Sequence, residues 1–278
     1  MKRVVRIIGE ILLLVACAFY LFPVYMVFVN SFKNRQELYE NMIALPGKFT
    51  KEYYVTAMEK MRFLRAFSNS LIVTIISIAI IVILASMTAW MLVRTNDKLS
   101  KTLFMIFVAT MLIPFQTIMM PLMQVMGWVR NNLHIPMLES LGGLIYMNVG
   151  FGASMAVFLY HGFIKSIPVS LEEAATIDGC NKFGVFSKIV FPMLKPTTVT
   201  VIILDVIWIW NDYLLPSLVL SGEKLRTIPL STASFFGQFT IQWNLAMAGL
   251  MLTIIPVIIF YLCAQKYIIK GVAAGALK

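Results

Sequence analysis

Five stretches of this chain, 11–32, 66–93, 102–129, 140–164 and 227–265, contain no Asp, Glu, Lys or Arg. About 20 apolar residues in a helix rising 1.5 Å per residue cross roughly 30 Å of hydrocarbon. The first four runs meet that length, and in the fifth the apolar part covers 243–263. A further apolar segment, 196–220, is interrupted only by Asp205 and Asp212. Six candidate spans result. They must be helices, because lipid offers backbone N–H and C=O groups no partners and each segment has to satisfy its own. Composition agrees: 60% of residues are hydrophobic and only 13% charged, more apolar surface than a soluble domain of 278 residues can bury. Soluble, disordered, collagen-like and coiled-coil classes are excluded. The expected fold is an all-α polytopic membrane helix bundle, one domain over 1–278.

Charge placement orients the bundle. With six spans both termini share a side, and placing them inside puts 13 basic residues inside and 10 outside, seven of the latter in one long loop, 33–65. Basic residues collect on the cytoplasmic side, so the termini are expected to be cytoplasmic in a bacterial or archaeal inner membrane. The net charge of +10 is then accounted for by anchors flanking spans, without nucleic acid. The start resembles a secretory or lipoprotein signal at Leu14-Val15-Ala16-Cys17. Its apolar run continues to Val29, longer than a signal core, so it is read as an uncleaved first span. Cys17, Cys180 and Cys263 make no disulfide framework and are read as inert thiols. Pro114, Pro121 and Pro256 should kink or open their helices. Gly142, Gly143, Gly150, Gly152 and Ser154 give the fourth span small residues for close packing.

The polar stretch 165–195 is the most informative. Ser170 followed by Glu173 has the spacing of a capping box, which predicts a helix from Leu171. Gly179 is placed to end it in a left-handed conformation. Leu171, Ala174, Ala175 and Asp178 would share one side. A second short helix is expected from about Lys182 to Phe191, stopping at Pro192, with Phe183, Phe186, Ile189 and Val190 as its apolar stripe. Small alanines on the first helix would let a partner surface approach closely, and an amphipathic connector on the membrane is the plainer alternative.

Glu173-Ala174-Ala175, Gly179, Ile189 and Phe191-Pro192 together resemble the EAA signature of binding-protein-dependent ABC transporter permeases. Phe191 stands where that pattern has leucine. Ile167-Pro168, Pro196, the run Trp210 to Pro216, Gln265-Lys266-Tyr267 and Gly271 with Ala274-Gly275-Ala276 fit the carbohydrate-type permeases. The chain is similar to the smaller permease subunit of maltose-type importers along nearly its whole length. That resemblance implies a coupling helix at Glu173, Ala174, Ala175, Asp178 and Gly179, seated in a cleft of a cytoplasmic ATPase. It implies a tail, 266–278, reaching toward the ATPase pair through Lys270, Gly271 and Gly275. It also implies a second permease subunit, two ATP-binding subunits that hold ATP and magnesium, and an extracytoplasmic solute-binding protein. Transport of a sugar or oligosaccharide would then proceed by alternating access, with a non-sugar solute as the alternative cargo.

Other function classes find less support. His134 and His161 are isolated from any H-E-x-x-H, G-x-S-x-G or metal-ligand pattern, so no catalytic residue and no metal site are assigned. His134 reads as an outer-loop residue and His161 as lying at the inner end of the fourth span. The sequence holds no G-x-x-x-x-G-K-[ST] loop, which leaves ATP hydrolysis to another chain. An ion-coupled secondary transporter using Asp205 and Asp212 is the main rival, since carboxylates within spans often mark ion paths. Asp205 is placed near the cytoplasmic end of its span, where water or a basic partner could solvate it. Trp208, Asn211 and Asp212 fall at i, i+3 and i+4, pairing an aromatic surface with hydrogen-bonding groups as sugar sites do. They are the expected substrate-path residues, against an interfacial aromatic belt as the alternative.

Overall fold

The computed structural model describes residues 2–237 and 241–276, with the side chains of 2, 4, 5 and 267–276 left out. In chain order the helices are α1 (Lys2–Asn30), α2 (Arg35–Glu40), α3 (Glu52–Lys60), α4 (Phe63–Thr95), α5 (Lys98–Thr110), α6 (Phe115–Leu133) and α7 (Leu141–Ile164). They continue as α8 (Val169–Ile177), α9 (Lys182–Val185), α10 (Phe191–Met193), α11 (Lys195–Asn211), α12 (Leu214–Val219), α13 (Ile228–Ala233) and α14 (Trp243–Ala276). A π-turn, Phe186–Val190, joins α9 to α10. No strand occurs among the described residues beyond an isolated bridge between Phe236 and Ile241. The fold is all-α.

Four helical stretches are long and apolar enough to cross a membrane: Arg6–Asn30, Phe63–Thr95, Leu141–Ile164 and Trp243–Lys266. Two further candidates are bent pairs, α5 with α6 at 106° and Lys182–Met193 with α11 at 74°. The third expected span is therefore not one kinked helix. Its break lies at 111–114, where Pro114 supplies no N–H and drives its neighbour away from helical geometry, leaving Pro114 extended (φ −62°, ψ 134°). Pro121 and Pro256, by contrast, lie inside α6 and α14. The fifth expected span also breaks. α11 ends at Asn211, Asp212 is extended, and its carboxylate accepts the Leu214 N–H (3.0 Å) in place of a helical carbonyl.

Two compact units divide the chain: Met1–Ala66 with Ile228–Ile259, and Phe67–Thr227 with Phe260–Lys278. In the first, Ala57, Met61, Phe235, Leu245, Ala246 and Ala248 form a core packed by Tyr53, Tyr54, Phe63 and Leu252. Gly249 makes room there for the Phe235 ring, which a Cβ would meet at 2.9 Å. The segment expected as a plain outer loop is folded. Asn34 and Glu37 form a reciprocal cap on α2, Lys33 donates to the Asn41 carbonyl (2.7 Å), and the hydroxyls of Ser31 and Tyr54 pair at 2.6 Å.

In the second unit α7 is the central element. Tyr160 donates to Thr198 on α11 (3.0 Å), and the hydroxyls of Ser154 and Thr110 on α5 pair at 2.8 Å. Gly152 is where three helices converge: a Cβ there would meet Ile81 of α4 at 2.5 Å and the Asp205 carboxylate at 3.4 Å. Gly143 is equally confined, by the Met137 backbone, whereas Gly142 and Gly150 have open space. Close packing thus uses two of the four glycines singled out on this span.

Candidate functional site

The polar segment after α7 is fastened to the end of α4. Its first helix begins two residues earlier than the capping box predicts. Pro168, with φ already near helical values, serves as the cap without a side-chain bond, so Ser170 and Glu173 lie within the helix. The end is as expected: Gly179 adopts φ +86°, and Cys180 N–H reaches back to the Ala175 carbonyl (2.9 Å). The side buried against the protein carries Glu172 and Ala175, while Leu171, Ala174 and Asp178, expected to share a side with Ala175, are exposed. Glu173, Ala174, Asp178 and Gly179 are exposed.

Glu172 is the residue that sequence reasoning missed. Its side chain is only 10% exposed, and both carboxylate oxygens are occupied by α4. Oε2 accepts the Trp90 indole N–H (2.9 Å), while Oε1 accepts Arg94 Nε (2.8 Å) and Nη2 (2.6 Å). Arg94 Nη2 also donates to the Ile167 carbonyl (3.1 Å), which fixes the chain just before α8. The Trp90 ring packs on Phe186 of the π-turn at 5.5 Å. A charge-assisted, fully paired carboxylate in this setting holds geometry and offers no free acid or base. A cleft of about 600 Å³ opens beside it between Met91, Ile177 and Lys182. The signal available was the placement of Trp90 and Arg94 one turn apart at a span end, with a second acid preceding the recognised motif.

The second short helix does not stop at Pro192. It runs through a π-turn to Met193, and the bend follows at Leu194. Val185, Phe186 and Val190 are its buried side, and Phe183, expected in the stripe, is 67% exposed. Ile177, 86% exposed, projects from the neighbouring helix.

Trp208, Asn211 and Asp212 do not form one helical face, because the helix ends between the last two. The Asn211 amide donates to its own helix at Ile207 (2.7 Å), Asp212 caps the turn, and Trp208 is 40% exposed. Asp205 departs from expectation as well. It is buried, no ion pair reaches it among the described residues, and its Oδ2 has no hydrogen-bond partner there. α7 and α11 run antiparallel in a register that sets Tyr160 on Thr198 and Gly152 beside Asp205. Asn148 Oδ1 on α7 and Trp210 Nε1 on α11 are likewise buried without a hydrogen-bond partner. His161 is buried and stacked on Phe104, and His134 ends α6 in a left-handed conformation. Lys270, Gly271 and Gly275, the expected tail contacts, lie outside the residues whose side chains are described.

Residues 81–274 match the model of the family described as "Binding-protein-dependent transport system inner membrane component". The chain is 48% identical over 256 residues to the probable starch degradation products transport system permease protein AmyC of Thermoanaerobacterium thermosulfurigenes, covering 92% of this chain and 91% of that one. It is 34% identical to the melibiose/raffinose/stachyose import permease protein MelC of Bacillus subtilis, over 98% and 96% of the two chains. Its fold matches a chain in the crystal structure of a bacterial ABC transporter involved in the import of the acidic polysaccharide alginate, with a TM-score of 0.81, 21% identity, and coverage of 96% and 97%. A single family model over most of the chain and relatives aligned nearly end to end agree: the chain belongs to the inner membrane components of binding-protein-dependent transport systems.

Proposed function

We propose that this chain is a permease subunit of an ATP-driven importer of sugars or oligosaccharides, with six spans, cytoplasmic termini and α8 as its coupling helix. The observation that carries the mechanism is Glu172. Its bonds to Trp90 and Arg94 tie α8 to a long apolar helix, so a push on α8 is delivered to α4. Ile177, which lines the cleft, and the exposed Phe183 are the surface offered to an ATPase, together with the exposed Glu173, Ala174, Asp178 and Gly179. The sugar cargo is supported by the relatives named for starch degradation products and for melibiose, raffinose and stachyose. A second permease, two ATP-binding subunits and an extracytoplasmic solute-binding protein complete this reading, with the tail around Lys270, Gly271 and Gly275 directed at the ATPase pair. Trp208 would present its ring to the cargo, and Asn211 and Asp212 would shape the helix break beside it. The ion-coupled alternative has less support, since the family is one of binding-protein-dependent systems and Asp212 is committed to a turn.

Co-purification in mild detergent, followed by uptake of maltotriose and raffinose into proteoliposomes, tests the proposal. Expected are a second permease, an ATPase, and uptake that needs ATP on the ATPase side and survives a protonophore. Uptake abolished by the protonophore but indifferent to ATP would establish the ion-coupled reading instead. Capture of a non-sugar solute by the associated binding protein would overturn the cargo assignment alone.

A further inference from the structure

After α2 the chain turns back to α1 and is pinned there by its backbone. Tyr25 Oη donates to the Ile43 carbonyl (2.9 Å), Asn30 Nδ2 to the Met42 carbonyl (2.9 Å) and Lys33 Nζ to the Asn41 carbonyl (2.7 Å). Three successive carbonyls are thus satisfied by side chains at the end of α1 and just beyond it. The N–H groups find partners as well. Asn41 Oδ1 accepts from Ile43 (2.9 Å) and Ala44 (3.0 Å), and the Asn41 N–H bonds to the Glu37 carbonyl (3.1 Å). The side chains carried by this turn are nevertheless uncovered. Met42, Ile43 and Leu45 are 47%, 58% and 66% exposed, and Tyr39 and Phe49, on either side in sequence, are exposed too.

Water would satisfy these backbone groups unaided. A turn that pairs them internally while uncovering apolar side chains suits a place where water is scarce. Depth along α1 indicates such a place. Arg6 and Glu10 pair at 2.9 Å with exposed side chains, a charged couple that belongs outside hydrocarbon. From Glu10, about 20 residues rising 1.5 Å each cross the roughly 30 Å of hydrocarbon and reach Asn30. Any tilt draws Asn30 deeper. Tyr25 and Asn30 therefore stand at the hydrocarbon edge or within it, and they bring Ile43 and Met42 there with them. Aliphatic side chains flanked by aromatic ones match the make-up of a membrane boundary. A carrier that docks and leaves would instead use a surface about as polar as the rest of a protein. We propose that the turn 41–45 dips into the lipid leaflet that receives the end of α1, with Met42, Ile43 and Leu45 among the upper acyl chains and Tyr39 and Phe49 at headgroup level. That this leaflet is the outer one rests on the orientation proposed above.

The test attaches an environment-sensitive fluorophore to single cysteines, Ile43→Cys, Leu45→Cys and Lys48→Cys, in a chain carrying Cys17→Ala, Cys180→Ala and Cys263→Ala. The full-length protein is placed in nanodiscs, alone and with the subunits that co-purify, and matched thermal unfolding shows that each variant keeps its fold. Phosphatidylcholine brominated near the head of its acyl chains should quench the labels at 43 and 45 several-fold more than the label at 48. Aqueous iodide should show the reverse order. Iodide quenching at 43 and 45 as strong as at 48 would overturn the proposal. Shielding of 43 and 45 from both quenchers once the subunits are present would overturn it in favour of a seat on the second permease. Reaction of the cysteine at 48 with an impermeant thiol reagent from the cytoplasmic side alone would refute the orientation and leave the lipid contact standing.

Discussion

Both carboxylate oxygens of Glu172 accept hydrogen bonds, and its partners lie 78 and 82 residues away in sequence. Removing one member of a buried pair strands the other without solvent, which costs about 3–5 kcal/mol, whereas removing both with apolar replacements is often close to neutral. Arg94→Met is accordingly expected to lower thermal stability markedly, and Arg94→Met with Glu172→Leu to recover most of the loss. Both should uncouple ATP hydrolysis from uptake, because each severs α8 from α4. Recovery of coupling in the double variant would refute the mechanical role while leaving the stability argument intact. This pair was not legible beforehand. Arg94 has the charge and position of an ordinary span-flanking anchor, and nothing local to it names a partner in another segment. Gly179 was legible, because the need for a left-handed residue after a short helix is a local matter.

At the scale of elements, local rules and tertiary context divide the outcome. Apolar runs located the long helices well, since lipid demands helix wherever a run is long enough. Breaks were read less well. Pro114 signals a disturbance, but a bend of 106° depends on what the two halves pack against. Asp212 ends α11 because its carboxylate supplies a local alternative to the helical bond, an option that the spacing of Trp208, Asn211 and Asp212 does not reveal. The turn after α8 gives a clean test of element geometry. Gly179 has φ +86° and no atom within 4 Å of a built Cβ, so Gly179→Val suffers backbone strain of about 1–2 kcal/mol without a clash. Its expected result is normal membrane insertion with weakened ATPase association. Gly143→Ala should instead destabilise the protein itself, since its methyl group meets the Met137 backbone. Thermal unfolding in detergent together with ATPase pull-down distinguishes the two.

For the whole molecule the central expectation is topology. If both termini are cytoplasmic, Cys180 and a cysteine at Lys278 react only with reagents admitted to the cytoplasm, and a cysteine at Lys48 reacts in intact cells. Labelling of Cys180 from outside would refute both the orientation and the coupling role of α8. The size of α4 adds a consequence of its own. It is a helix of 33 residues with no proline, about 50 Å from end to end at 1.5 Å per residue. Glu172 grips it near one extremity through groups one turn apart, so a shove there acts as torque on a long arm. A tilt of about 5° would carry the far extremity through about 4 Å. With α8 as the coupling helix proposed above, gearing of that kind would turn a small stroke at one end into a larger displacement at the other.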